Sequence, residues 1–81
     1  MSSELFRKVQ EIIVEQFEKE SSAITADTLL VDDLGLDSLD MFDLICALEK
    51  EYGFHFERDM GSAIITVGDI VGQLEKNIPQ E

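Results

Sequence analysis

The stretch that decides the fold runs Asp33-Leu34-Gly35-Leu36-Asp37-Ser38-Leu39-Asp40-Met41-Phe42-Asp43-Leu44-Ile45-Cys46-Ala47-Leu48-Glu49-Lys50-Glu51-Tyr52-Gly53. Asp and Ser are strong N-caps, and an apolar periodic run follows them at once, so a helix should begin at Asp37 or Ser38. Gly53 suits the C′ position that stops it, and Gly35 suits a turn with positive φ just before it. On a wheel of 100° per residue, Met41, Leu44, Ile45, Leu48 and Tyr52 share one continuous arc, the core face. Leu39, Phe42 and Cys46 lie on a second arc centred about 140° away. A helix in a small bundle cannot easily bury both. Asp40 and Asp43 border the second arc on one side and Glu49 on the other, which makes an apolar strip edged with acid. If exposed, such a strip fits a basic, apolar groove on a partner. The competing reading is that the preceding loop folds over Leu39, Phe42 and Cys46 and makes them ordinary core.

Working outward, Leu5, Phe6, Val9, Ile12, Ile13 and Phe17 recur at helical spacing, with Ser3 as N-cap and Glu4 in the first turn. From Glu18 to Asp37 the pattern breaks into Ser, Thr and Asp with six scattered apolar anchors, Ile24, Leu29, Leu30, Val31, Leu34 and Leu36. A loop of about 20 residues is uncommon in a small domain, yet these anchors would let it pack as an ordered crossover. Phe54 to Ile65 is ambiguous, since Phe54 and Phe56 alternate like a strand while Glu57-Arg58-Asp59-Met60 could make a helical turn. The last helix opens with Thr66 as N-cap and Asp69 three residues on, a capping box with Asp for Glu. Val67, Ile70, Val71, Leu74 and Ile78 form its buried stripe, and Pro79 follows its end. The expected fold is all-α: a small four-helix bundle of three main helices plus a short third helix, with a long loop between the first two.

All 81 residues read as one domain, which on folding buries only about 60 to 65% of the surface its unfolded chain exposes. Eighteen Asp and Glu against six Lys and Arg give a formal charge of −12. That surface repels phosphates, which makes nucleic acid an improbable partner, and attracts basic protein patches. No apolar run approaches the roughly 20 residues of a membrane span. The single Cys46 forms no internal disulfide, and no leader-like segment opens the chain, so residence in the cytoplasm, or in an organelle matrix after processing, is expected; the chain is expected to be a monomer. Asp32, Asp33, Asp37 and Asp40 lack the ordered spacing of a calcium loop, and His55 has no second His or Cys nearby for zinc, so no metal site is expected. Cys46 and Ser38 lack the partners of a catalytic nucleophile.

Ser38 itself sits where first-turn N–H groups and the helix dipole would favour a phosphodiester, although Asp37-Ser38-Leu39 taken alone is so short that a plain N-cap is the better account. The wider pattern resembles the acyl carrier protein family. Asp33-Leu34-Gly35-Leu36-Asp37-Ser38-Leu39-Asp40 looks like its phosphopantetheine attachment segment. Ala47-Leu48-Glu49, Ile64-Ile65-Thr66-Val67-Gly68-Asp69 and, upstream, Ile12-Ile13-Val14-Glu15-Gln16-Phe17 follow the family pattern at similar spacing. The resemblance implies that a phosphopantetheinyl transferase, using coenzyme A and Mg²⁺, attaches 4′-phosphopantetheine to Ser38, with Asp37 beside it. The chain would then be a non-catalytic carrier of acyl thioesters in fatty-acid or related lipid or polyketide biosynthesis. It also implies that acyl-transferring, condensing and reducing enzymes with basic patches dock on Leu39, Asp40, Phe42, Asp43, Cys46 and Glu49. Acyl chains would shelter among Leu30, Val31, Leu34, Leu44, Ile45, Leu48, Phe56 and Ile64, residues for which core packing is an equally good account.

Two departures bear on the partners. Lys50 stands where housekeeping fatty-acid carriers usually keep an acid, and Glu57-Arg58-Asp59-Met60-Gly61-Ser62 replaces the usual Pro-containing, acid-rich start of the short helix. A specialised secondary carrier is consistent with both. The alternatives are a peptidyl or D-alanyl carrier, against which Asp37 before the serine speaks, and an unmodified acidic interaction module in which Ser38 only caps a helix.

Overall fold

The computed structural model describes residues 3–53, 55–56 and 64–77. Among these, three α-helices and one 3₁₀ turn carry the fold: α1, Ser3–Phe17; the 3₁₀ turn, Ser21–Ala23; α2, Ser38–Tyr52; and α3, Val67–Asn77. The only β pairing among them is an isolated bridge between Leu29 and Thr66, so the class is all-α as expected. The helical turn expected at Glu57-Arg58-Asp59-Met60, and Ile78 and Pro79 at the end of α3, lie outside the described residues.

Periodicity placed each helix correctly because each has one stripe to bury. Leu5, Val9 and Ile13 of α1, Leu44 and Leu48 of α2, and Val67, Ile70, Val71 and Leu74 of α3 form the core with Ile24, Leu30, Leu34, Leu36 and Ile64. α1 packs against both α3 and α2. Ser3 is itself helical, so the first cap does not fall on it.

The crossover from Glu18 to Asp37 is ordered by hydrogen bonds at every stage. The Gln10 side chain on α1 donates to the carbonyls of Ser21 and Ile24, at 2.9 and 3.1 Å. Thr28, the buried polar residue of the core, accepts from Thr25 N–H at 2.8 Å through its hydroxyl oxygen and lies 3.3 Å from the Ala23 carbonyl as donor. Leu30 N–H donates to Ile65 O at 3.0 Å. A tight turn follows, in which Leu34 N–H returns to Leu29 O and Gly35 N–H to Val31 O, and Gly35 takes φ +70° as its sequence position predicted. Four of the six expected anchors, Ile24, Leu30, Leu34 and Leu36, are buried. Val31 is not: it sits at the turn's crest with 59% of its surface exposed, outside the core it was expected to join.

The start of α3 is sealed onto this loop. Val67 N–H donates to Thr28 O and Gly68 N–H to Ala26 O at 2.8 Å, while Thr66 and Asp69 exchange the reciprocal bonds of a capping box at 3.1 and 3.0 Å. The orphan donors of this helix end are thereby satisfied within the fold. A Cβ on Gly68 would stand 2.9 Å from Ala26 O, so the close approach requires glycine. Asp69 also accepts from Ile65 N–H at 2.9 Å, and these backbone donors hold its carboxyl below the usual carboxylate range.

Candidate functional site

α2 starts at Ser38, and the residue that caps it is Asp37. Asp37 has extended backbone, φ −95° and ψ −173°, and its carboxylate accepts from Asp40 N–H at 2.9 Å. Asp40 returns the bond, accepting from Asp37 N–H at 3.2 Å. This reciprocal box fixes the entry of the chain into the helix. Ser38 is therefore the first helical residue rather than the cap, and its exposed side chain is spared the capping role. The reading of Ser38 as a plain N-cap fails for that reason.

The first-turn donors divide accordingly. Asp37 takes Asp40 N–H with its side chain and Met41 N–H with its carbonyl at 2.9 Å. The N–H groups of Ser38 and Leu39 remain outside both the cap and the helix ladder, and a phosphodiester on the Ser38 oxygen would meet these two donors at the positive end of the helix dipole. A bulky group attached to an exposed hydroxyl at a helix tip displaces no core atom, so the residues present fit the prosthetic group that the sequence resemblance implies.

Beyond Ser38 the two arcs of α2 separate as the wheel predicts. Leu44 and Leu48 are fully buried, with Met41 and Tyr52 packed half-buried beside them and Ile45 also half-buried. On the other side Leu39 is 74% and Phe42 64% exposed, and Cys46 is exposed. The crossover spends its anchors on the core and leaves this strip uncovered. Asp43 is exposed and Asp40 half-buried along its edge.

Glu49 has a second task. Its carboxylate accepts from Phe56 N–H at 2.7 Å and lies 3.6 Å from His55 Nδ1, so it pins the chain that follows α2. Lys50, by contrast, is exposed, and its wheel angle falls between those of Leu39 and Asp43, at the edge of the strip. An open cleft lined by Cys46, Glu49, Lys50, Gly53 and His55 flanks this end of the helix. Gly53 closes α2 in the left-handed conformation at φ +70°, with its N–H on Glu49 O.

Of the residues expected around an acyl chain, Leu30, Leu44 and Leu48 are fully buried, Leu34 and Ile64 nearly so, and Ile45 and Phe56 half-buried. Leu30, Leu34, Leu44, Leu48 and Ile64 belong to the core cluster and Phe56 packs against it, whereas Val31 stands apart at the surface. His55 has 92% of its side chain exposed, and no group of three His, Cys, Asp or Glu among the described residues is arranged to hold a metal ion. No helix of the described residues is long and apolar enough to cross a membrane.

Comparison with known proteins follows the same outline. Residues 7–74 match the family model described as the phosphopantetheine attachment site. The chain is 43% identical over 75 residues to an acyl carrier protein of Thermotoga maritima, covering 93% of each chain. It is 40% identical over 75 residues to one from a Bradyrhizobium strain, covering 93% of this chain and 95% of that one. A solved structure described as an acyl carrier protein of Mycobacterium tuberculosis superposes with a TM-score of 0.84 at 32% identity, over 91% of this chain and 99% of that one.

Proposed function

Because the chain belongs to the acyl carrier protein family, whose members are non-catalytic carriers with a covalently attached 4′-phosphopantetheine, we propose that Ser38 bears that group and that this chain carries acyl intermediates for lipid or polyketide synthesis. The observation that carries the assignment is the division of labour at the start of α2: Asp37 caps the helix, which leaves the Ser38 hydroxyl exposed and available to a modifying enzyme. When bound, the group supplies a thiol on a long flexible arm, on which acyl groups are held as thioesters.

The chain's own residues position rather than react. The Asp37–Asp40 box keeps the helix tip rigid, so the tether leaves from a fixed point. The N–H groups of Ser38 and Leu39 offset phosphate charge. Leu39, Phe42 and Cys46, edged by Asp40 and Asp43, present an apolar and acidic face to enzymes with basic docking patches, the modifying transferase among them. Leu30, Leu34, Leu44, Leu48 and Ile64 of the core, with Phe56 packed against it and Ile45 half-buried on α2, are the positions among which an acyl chain would insert by parting the helices. Lys50 at the edge of the strip, on the side of Asp43, supports a dedicated pathway with its own enzymes over the common fatty-acid set.

Incubation of the purified chain with coenzyme A, Mg²⁺ and a promiscuous phosphopantetheinyl transferase should add the mass of one phosphopantetheinyl group. Absence of the gain, or its persistence in Ser38→Ala, overturns the assignment. Loading by fatty-acid-activating but not amino-acid-activating enzymes separates an acyl from a peptidyl or D-alanyl carrier.

A further inference from the structure

The exposed strip of α2 has an electrical direction. Asp37, Asp40 and Asp43 crowd its N-terminal half. At the C-terminal half the nearest acids are occupied: Glu49 is turned to Phe56 N–H, and Glu51 is paired with Lys8 at 3.2 Å. Lys50 is left as an exposed cation without an ion pair among the described residues, one turn beyond Cys46 on the same face. From Asp40 to Lys50 is ten residues, about 15 Å along the helix axis. Between the two charges lie Phe42 and Cys46, which with Leu39 just before Asp40 make an apolar seam of about two turns.

A straight seam of this length, negative at one end and positive at the other, is complementary to another helix. Helices favour acids in their first turn and bases in their last, because those charges oppose their own dipoles. A partner helix whose last turn meets Asp40 and Asp43, and whose first turn meets Lys50, must run antiparallel to α2. In that orientation the two macrodipoles also oppose each other. Apolar side chains at i, i+3, i+4 and i+7 of such a helix would fill the seam, which is the helix-on-helix mode of recognition.

We infer that α2 is docked by an amphipathic helix of its partner protein running antiparallel to it, with basic residues of the partner's last turn against Asp40 and Asp43 and an acidic residue of its first turn against Lys50. Lys50 thereby selects among partners, since a uniformly basic patch meets a like charge at this end and the cognate helix does not. The inference rests on the docking face proposed above, but not on the tether at Ser38.

The test uses the unmodified full chain and two synthetic amphipathic helical peptides with identical Leu seams and Arg pairs in the last turn, one with Glu in the first turn and the other with Gln there. Affinities are measured by titration, and a nitroxide on the peptide N-terminus reports orientation by broadening amide resonances. The Glu peptide should bind wild type about threefold more tightly than the Gln peptide, the scale of an exposed ion pair. In Lys50→Glu the order should reverse, and the nitroxide should broaden Lys50 to Gly53 in the wild type. Equal affinities, no binding by either peptide, or broadening centred on Ser38 and Leu39 overturns the inference. A failed mass gain with the transferase would instead overturn the tether alone.

Discussion

Replacing Asp37 by Ala removes the side chain that caps α2 and should unfold the protein more readily than any change at Ser38. Two hydrogen bonds are at stake, Asp40 N–H to Asp37 at 2.9 Å and the return bond from Asp37 N–H to Asp40 at 3.2 Å, the second of which survives only if Asp40 keeps its rotamer. Loss of such a cap costs about 1 to 2 kcal/mol. For a chain of this size that lowers the melting temperature by about 5 to 10 °C. Asp37→Asn makes the same change in charge but keeps a capping oxygen, so it should stay within about 0.5 kcal/mol of wild type and isolates the cap from general relief of repulsion. Ser38→Ala truncates an exposed first-turn side chain that takes no part in the cap, so it should also fall within about 0.5 kcal/mol. All four proteins are to be melted by circular dichroism at one pH and ionic strength, and weighed after treatment with the transferase. The expected pattern is a stability loss in Asp37→Ala with the mass gain retained, and a mass gain lost in Ser38→Ala with stability retained. If Ser38→Ala melts as low as Asp37→Ala, the serine shares the cap and the division of labour is wrong.

Gly68→Ala gains helix propensity of up to about 1 kcal/mol but puts a Cβ 2.9 Å from the Ala26 carbonyl, a backbone atom already fixed by its bond from Gly68 N–H. Overpacking should prevail by about 1 to 2 kcal/mol, and an unchanged or raised melting temperature would show that the loop yields freely. Asp69 carries a depressed folded-state pKa, so its contribution is present above the unfolded carboxylate value near 3.8 and is lost as pH falls from there through the folded value. The melting-temperature gap between wild type and Asp69→Ala should be constant above about pH 5 and close below about pH 3.5; a gap that widens in acid would reverse the sign. With a formal charge of −12, the protein should melt higher in about 0.5 M than in about 0.01 M sodium chloride, and millimolar Mg²⁺ should act in the same direction. Melting insensitive to ionic strength would refute the self-repulsion reading.

The amino-acid sequence by itself determined the three helices and most of their ends. Each carries an apolar stripe at helical spacing, and Gly35, Gly53 and the Thr66–Asp69 pair are local signals whose meaning depends on neighbours only a few residues away. It also separated the two arcs of α2, since a wheel needs nothing but the helix. Which arc would be covered was decided by the tertiary structure. The crossover had six apolar side chains to spend, and the pairing of Leu30 with Ile65 and of Ala26 and Thr28 with the start of α3 draws them toward the core, away from Leu39 and Phe42.

The same long-range pairing explains the misplaced residue. Leu30 and Val31 are adjacent apolar residues in a loop with no period, and only the turn that returns Gly35 N–H to Val31 O sends one inward and the other to solvent. Asp37 and Ser38 are both competent caps, so composition could not choose between them. Asp40 completes a box with Asp37 and thereby leaves the serine free. The need for glycine at position 68 is likewise invisible in α3 alone, because the atom that excludes a side chain there belongs to Ala26, more than forty residues earlier in the chain. Patterns within a helix are short-range and readable from residue order. Contacts between a loop and a helix end depend on where the whole chain places two distant backbones, and only the folded molecule holds that information.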